Sequence, residues 1–221
     1  MSHRPSPIEV YQFRISLRGI SPMIWRRVLV RSDSTLADLH YTIQVLMEWS
    51  NYYLHQFLIY GRHYAVPRLF GAEADDAEEV HLSDLKLRVG SRFLYEYSFF
   101  EWWQHDIRLE KKLALDERKT YPVCIAGERA APPQDCGGAV GYMQRLDHYS
   151  SFYMASRLLE IFQQIQDGEW TDEDTVEEDR AELRQILYWL EAAKLDRKCI
   201  NQRLKWYAKQ DERWTEGLEV L

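Results

Sequence analysis

The run F-L-Y-E-Y-S-F-F-E-W-W-Q-H-D-I, from Phe93 to Ile107, constrains the fold more than any other stretch of this chain. Phe93, Tyr95, Tyr97 and Phe99 recur at every second position, a spacing that sets four rings on one face of a β-strand. The run then ends in groups able to donate, accept or ligate: Glu101, Gln104, His105 and Asp106. A rigid apolar strand supports a site, and a polar strand end gives it access. The spacing predicts an aromatic-lined sheet with a candidate site at its rim.

The preceding residues supply the strand's neighbours. Residues 9–18 alternate, with Tyr11, Phe13, Ile15 and Leu17 on one side and Gln12, Arg14, Ser16 and Arg18 on the other. Gly19 to Pro22 reads as a turn. Residues 23–31 alternate again, Ile24, Val28 and Val30 against Trp25, Arg27, Leu29 and Arg31, with Arg26 interrupting the apolar side. The pair reads as an antiparallel hairpin with an arginine-rich outer face. Ser34 or Thr35 offers an N-cap, and Asp38 three after Thr35 comes close to a capping box, for a helix carrying Leu36, Leu39, Ile43 and Leu46, with His40 on or near its buried side. Short strands are predicted over 54–66, the acidic stretch 72–80 reads as a loop, and Gly90 turns the chain into the aromatic strand. Hairpin, helix and further strands are the order of a β-grasp-like arrangement.

Residues 121–141 are dense in proline and glycine and read as an ordered loop. From about residue 150 the pattern is helical. Phe152, Ala155, Leu159, Phe162 and Ile165 form one stripe, stopped at Gly168; Leu183, Ile186, Leu187 and Leu190 form a second. Ile200, Leu204 and Tyr207 form a third, with Asp196 as N-cap. Such stripes predict core. The expected fold is therefore α+β: one unit over 1–221, with a β-grasp-like mixed sheet to 120, the loop over 121–141 and a helical part over 142–221.

Net charge decides between partner classes. At −7 the chain is too acidic to bind nucleic acid over its whole surface. The charge is uneven, however. Arg4, Arg14, Arg18, Arg26, Arg27 and Arg31 gather before residue 32 against Glu9 alone, and acids gather at 72–80 and 167–182. Cys124, Cys136 and Cys199 are odd in number and lack a C-x-x-C, so no disulfide scaffold is expected. No apolar run has membrane-spanning length and no signal-peptide layout opens the chain, which points to a reducing cytoplasmic setting with no membrane partner.

The segments I-S-P-M-I-W-R-R at 20–27, T-L-A-D-L-H at 35–40, Y-L-H-Q-F at 53–57, W-W-Q-H-D-I at 102–107 and P-V-C-I-A-G-E-R-A-A-P-P-Q-D-C-G-G at 122–138 carry a resemblance. With a weaker I-N-Q-R-L at 200–204, they make the chain similar to the plasmid Ri open-reading-frame-three-like family, often labelled passengers of insertion elements. The resemblance implies an α+β fold and a mobile-element or plasmid setting, and little about activity. A resolvase-like label attaches to some members, but no recombinase motif is present here. The family reads Y-D-F-G-D where this chain has Tyr97, Ser98, Phe99, Phe100 and Glu101, and P-P-E-D where it has Pro132, Pro133, Gln134 and Asp135. Two carboxylates are thereby lost, at Ser98 and Gln134.

Four chemistries compete for these residues. Glu101, His105, His55 and Asp135 are metal-ligand types, though no H-E-x-x-H spacing joins them, and no cofactor is expected. Glu101, His105 and Asp135 are candidate acid–base residues. Arg14, Arg18, Arg26 and Arg27, with Trp25 among them, offer a nucleic-acid face. His40, His55, Tyr97 and Trp103 complete a candidate binding surface, and the sheet edge offers a place for a protein partner. The leading expectation is a non-catalytic binding module for protein or nucleic acid; the alternative is a metal-assisted or acid–base enzyme at Glu101, His105, His55 and Asp135.

Overall fold

The computed structural model describes residues 7–65 and 74–215. Arg4 and Glu73, the outer members of the basic and acidic runs, lie outside the described residues. In chain order the elements are β1 (Glu9–Leu17), β2 (Trp25–Arg31), α1 (Leu36–Met47), β3 (His55–Ile59), β4 (Arg62–Ala65), β5 (Asp75–Asp76), β6 (Arg92–Tyr97), β7 (Trp103–Ala114) and β8 (Val123–Glu128). Four helices follow, α2 (Gly138–His148), α3 (Ser151–Gln166), α4 (Glu173–Glu191) and α5 (Arg197–Ala208), then a short 3₁₀ turn (Glu212–Thr215).

One mixed sheet of eight strands has the order β5-β4-β3-β6-β7-β1-β2-β8. All its pairs are antiparallel except β4 with β5. The first hairpin forms where alternation predicted it, with Phe13 opposite Val28 and Ile15 opposite Arg26. The α+β class and the helical C-terminal part stand as expected. The capping box at the start of α1 is complete: Thr35 Oγ1 accepts from Asp38 N at 3.0 Å, and Asp38 Oδ2 accepts from Thr35 N at 2.9 Å. α1 lies across one face of the sheet and buries Leu36, Leu39, Ile43 and Leu46 with the inward rings of β6.

Three expectations need correction. The aromatic strand ends at Tyr97, so Phe93, Tyr95 and Tyr97 are buried together but Phe99 is not part of their row. Ser98 has a φ of 54°, which turns the chain out of the sheet, and Phe99 packs instead on Trp102 at 5.8 Å. Residues 121–141 are not all loop: Val123–Glu128 pairs with β2 as strand β8. The open edge of β2 needed partners for its N–H and C=O groups, and Val123, Cys124 and, past a bulge at Ile125, Ala126 to Glu128 supplied them. The far edge of β8 is closed in turn by α5, whose Asn201 side chain bonds Cys124 N and O at 2.8 and 2.9 Å as a strand would.

The third correction concerns α3. Its predicted core stripe is on the outside: Phe152 is 83% exposed, Leu159 66%, Phe162 56% and Ile165 47%. Met154 and Ile161 are buried in its place. On that inward flank Tyr153 and Arg157 reach Glu182 and Asp179 of α4. On α4 likewise, Ile186 and Trp189 are buried while Leu187 and Leu190 are exposed. Among the described residues no helix is long and apolar enough to cross a membrane.

Candidate functional site

The α1-facing end of the sheet is an aromatic cluster built from four elements. Cross-strand register places His55 beside Tyr97, and Tyr97 beside Trp103. Tyr95 lies beside His105, and His105 beside Leu17. Trp49, just past α1, stacks on Tyr97 at 5.3 Å and meets Trp103 at 5.2 Å and His105 at 5.4 Å. His40 Nδ1 bonds Tyr95 Oη at 2.8 Å, and His40 Nε2 bonds Asn51 Oδ1 at 2.6 Å. Gln44 donates to the same Tyr95 hydroxyl at 2.9 Å.

Three histidines in this cluster are held neutral. Burial pushes His40 well below the usual imidazole range, and the neighbouring His55 adds to the effect. Burial alone brings His55 down to about 4. Burial also brings His105 down to about 3, with the nearby backbone of Tyr95 and Trp103 working weakly the other way. That backbone makes no bond of normal geometry: both ring nitrogens of His105, and Nε2 of His55, are buried without a partner among the described residues.

The proline–glycine segment closes the cluster's rim. Trp49 Nε1 donates to Pro132 O and Trp103 Nε1 to Gln134 O, each at 2.8 Å. Gln134 Oε1 accepts from Ser50 N at 3.1 Å and from Tyr97 Oη at 3.4 Å, while its amide donates to Ser50 Oγ at 2.7 Å. Gln134 is thus satisfied as both donor and acceptor. Tyr53 Oη donates to Asp135 Oδ1 at 2.6 Å, a bond that holds the Tyr53 hydroxyl up at about 12. Glu101 accepts from Gly138 N and so caps the start of α2. Gly138 has a φ of 65°, and a Cβ there would strike the Glu101 carbonyl, so this close approach requires glycine.

The acid–base candidates do not converge. Glu101 bonds the α2 N-terminus, Asp135 bonds Tyr53, and His105 lies inside the core with no carboxylate bonded to it. His55 stacks on His40 instead of reaching an acid. Among the described residues no three His, Cys, Asp or Glu side chains group as a metal site. Tyr97 and Trp103 are fully buried and serve as cluster walls.

The opposite, open face of the sheet carries the arginines, and here the structure separates them. Arg26 faces the core. It is fully buried, and its guanidinium donates to Leu46 O at 3.1 Å and to Trp25 O and Glu128 O at 3.0 Å each. Burial lowers it to about 10, so it stays charged at neutral pH. Arg14 and Arg27 face outward with Cζ atoms 4.9 and 5.2 Å from the centre of the Trp25 ring. Arg27 grips Glu110 through two bonds of 2.6 and 3.0 Å, and Arg18 pairs with Asp106 at 2.6 Å. Both arginines are pushed up by these partners.

Register adds two residues that sequence reading missed. Arg92 stands opposite Arg108, Arg108 opposite Arg14, and Arg14 opposite Arg27. Four guanidinium-bearing residues therefore cross β6, β7, β1 and β2 in one row about 14 Å long. Arg14, Arg92 and Arg108 have no carboxylate within ion-pair distance among the described residues, and Arg14 Nε is buried without a partner. The available signal was parity: Arg92 and Arg108 alternate with the inward Phe93 and Ile107. Only pairing revealed that they line up.

A family model described as plasmid pRiA4b ORF-3-like protein matches residues 9–172. An uncharacterized protein, y4hQ, from Sinorhizobium fredii (strain NBRC 101917 / NGR234) is 28% identical over 137 residues, spanning 61% of this chain and 70% of that protein. The crystal structure of a protein of unknown function, MM3350, from Methanosarcina mazei Go1 is similar with a TM-score of 0.66 and 30% identity, over 87% of this chain and 98% of that one.

Proposed function

We propose, since the chain belongs to the plasmid pRiA4b ORF-3-like family, that it is a non-catalytic accessory module of a plasmid or mobile element. In this reading it works in the cytoplasm, and its open sheet face holds the phosphates of single-stranded nucleic acid. The arginine row carries the reading. Like charges directly opposite on neighbouring strands repel. Arg14, Arg92 and Arg108 make no close ion pair among the described residues, and only Arg14 feels a nearby carboxylate, Glu110, so a phosphate chain laid along the row removes repulsion that the free protein retains. Guanidinium groups match phosphate in fork geometry. Those of Arg14 and Arg27 are already oriented over Trp25. A flat sheet face suits an unpaired strand better than a duplex groove does. The acid–base alternative has less support, because no carboxylate bonds any of the three cluster histidines.

Fluorescence anisotropy with homopolymeric single-stranded DNA and RNA at low and moderate salt tests this. Three phosphate contacts give a log–log salt slope of about −2 for single strands. Reversing the charges at Arg92 and Arg108 together, both on the exposed face, should abolish binding. No salt-sensitive binding, or binding indifferent to the double variant, overturns the reading.

A further inference from the structure

The outward stripe of α3 has the spacing of a helix-pairing seam. Phe152, Ala155, Leu159, Phe162 and Gln166 follow one another at intervals of three, four, three and four residues. That is the a/d pattern of a two-helix interface. Met154, Arg157 and Ile161 occupy the other side and face α4, where Arg157 pairs with Asp179. Among the described residues nothing covers the seam.

We infer that α3 pairs with α3 of a second copy of this chain. Three observations select that occupant. The seam is apolar through four consecutive positions, so it complements itself. The positions flanking it, Ser151, Ser156, Leu158, Gln163 and Ile165, carry no charge. Such positions encode partner choice when they are charged; uncharged, they neither repel a second copy nor specify a different chain. Area is the third. Phe152, Leu158, Leu159, Phe162 and Ile165 are 83, 39, 66, 56 and 47% exposed. Together they offer about 500 Å² per chain, so a pair buries about 1,000 Å², the size at which specific interfaces begin. Gln166 at the end of the seam places one polar group where register is set.

Sedimentation velocity of the full chain across micromolar concentrations tests the pairing. The wild type should shift reversibly from monomer to dimer. Leu159→Glu puts a charge in the centre of the seam and should weaken association by about a hundredfold. Its side chain is exposed in the free chain, so circular dichroism and the melting temperature should match wild type. Phe152→Ser should weaken association less. Val89→Glu, at an exposed apolar residue of the loop before β6, should leave it unchanged. A wild type that stays monomeric, a Leu159→Glu variant that dimerises like wild type, or a Val89→Glu variant that dissociates equally, each overturns the inference.

Discussion

His40, buried, and His55, partly buried, lie face to face, with ring centroids 3.4 Å apart and planes within 6° of parallel. Two imidazoles at that distance cannot both hold a proton cheaply, and burial already disfavours the charge on each. The relationship makes the aromatic cluster a structural element that tolerates neutral pH and resists acid poorly.

Stability should therefore fall on acidification through a defined window. Unfolded histidines titrate near 6.5, whereas folded His55 titrates at about 4 and His105 at about 3. Below 6.5 the unfolded chain takes protons that the native cluster refuses. The contribution is complete above 6.5, is lost as pH falls toward the folded values, and levels off below them. His105 alone steepens the loss by up to about 1.4 kcal/mol per pH unit. Urea midpoints measured from pH 7.5 to 4.5 check this (about three units across the window); a flat profile contradicts it.

His105→Leu should retain stability at pH 7 within about 1.5 kcal/mol, because the volume is kept and no normal hydrogen bond is lost. The variant should also be less sensitive to acid than wild type. Denaturant titration at two pH values separates these effects. A loss above about 3 kcal/mol at pH 7 would show that the ring nitrogens hold partners, such as trapped water.

Arg26→Ala should cost about 3–5 kcal/mol. It leaves the carbonyls of Leu46, Trp25 and Glu128 without their donor and opens a cavity under the last turn of α1. Arg27→Ala, which breaks a partly exposed pair with Glu110, should cost about 1 kcal/mol. Chemical denaturation of the two single variants side by side measures the contrast.

Arg108→Gln should stabilise the protein by about 0.2–1 kcal/mol at low salt, since it removes the shared neighbour of Arg92 and Arg14. Raising the salt should erase the gain. Melting temperatures at two ionic strengths test it, and a destabilised variant would mean that the row is neutralised within the fold.

Gly138→Ala should lower stability by several kcal/mol, about 2–4, because the new Cβ meets the Glu101 backbone and the residue holds a left-handed φ of 65°. Gly168→Ala supplies the comparison: it has a similar φ of 71° with open space around it, so its cost is the backbone term alone, about 1 kcal/mol. Thermal melts of both variants isolate the collision.

Local chemistry determined much of this protein from the sequence alone. The hairpin alternation, the Thr35–Asp38 capping box, the turn at Gly90, the stop at Gly168 and the Asp196 cap depend on residues within a few positions of one another, and each forms as read. Residue types also disclosed the aromatic core and the outward parity of Arg14 and Arg27. Only tertiary structure decided what lay far apart. It lined Arg92 and Arg108 up with Arg14 through strand register, which no local pattern encodes. It also set α3 with its apolar stripe outward, with Met154 and Ile161 buried and Tyr153 and Arg157 bonded to α4. It drew Glu101 and Asp135 into separate local bonds and sealed His105 among rings, since a side chain's function depends on partners from other elements.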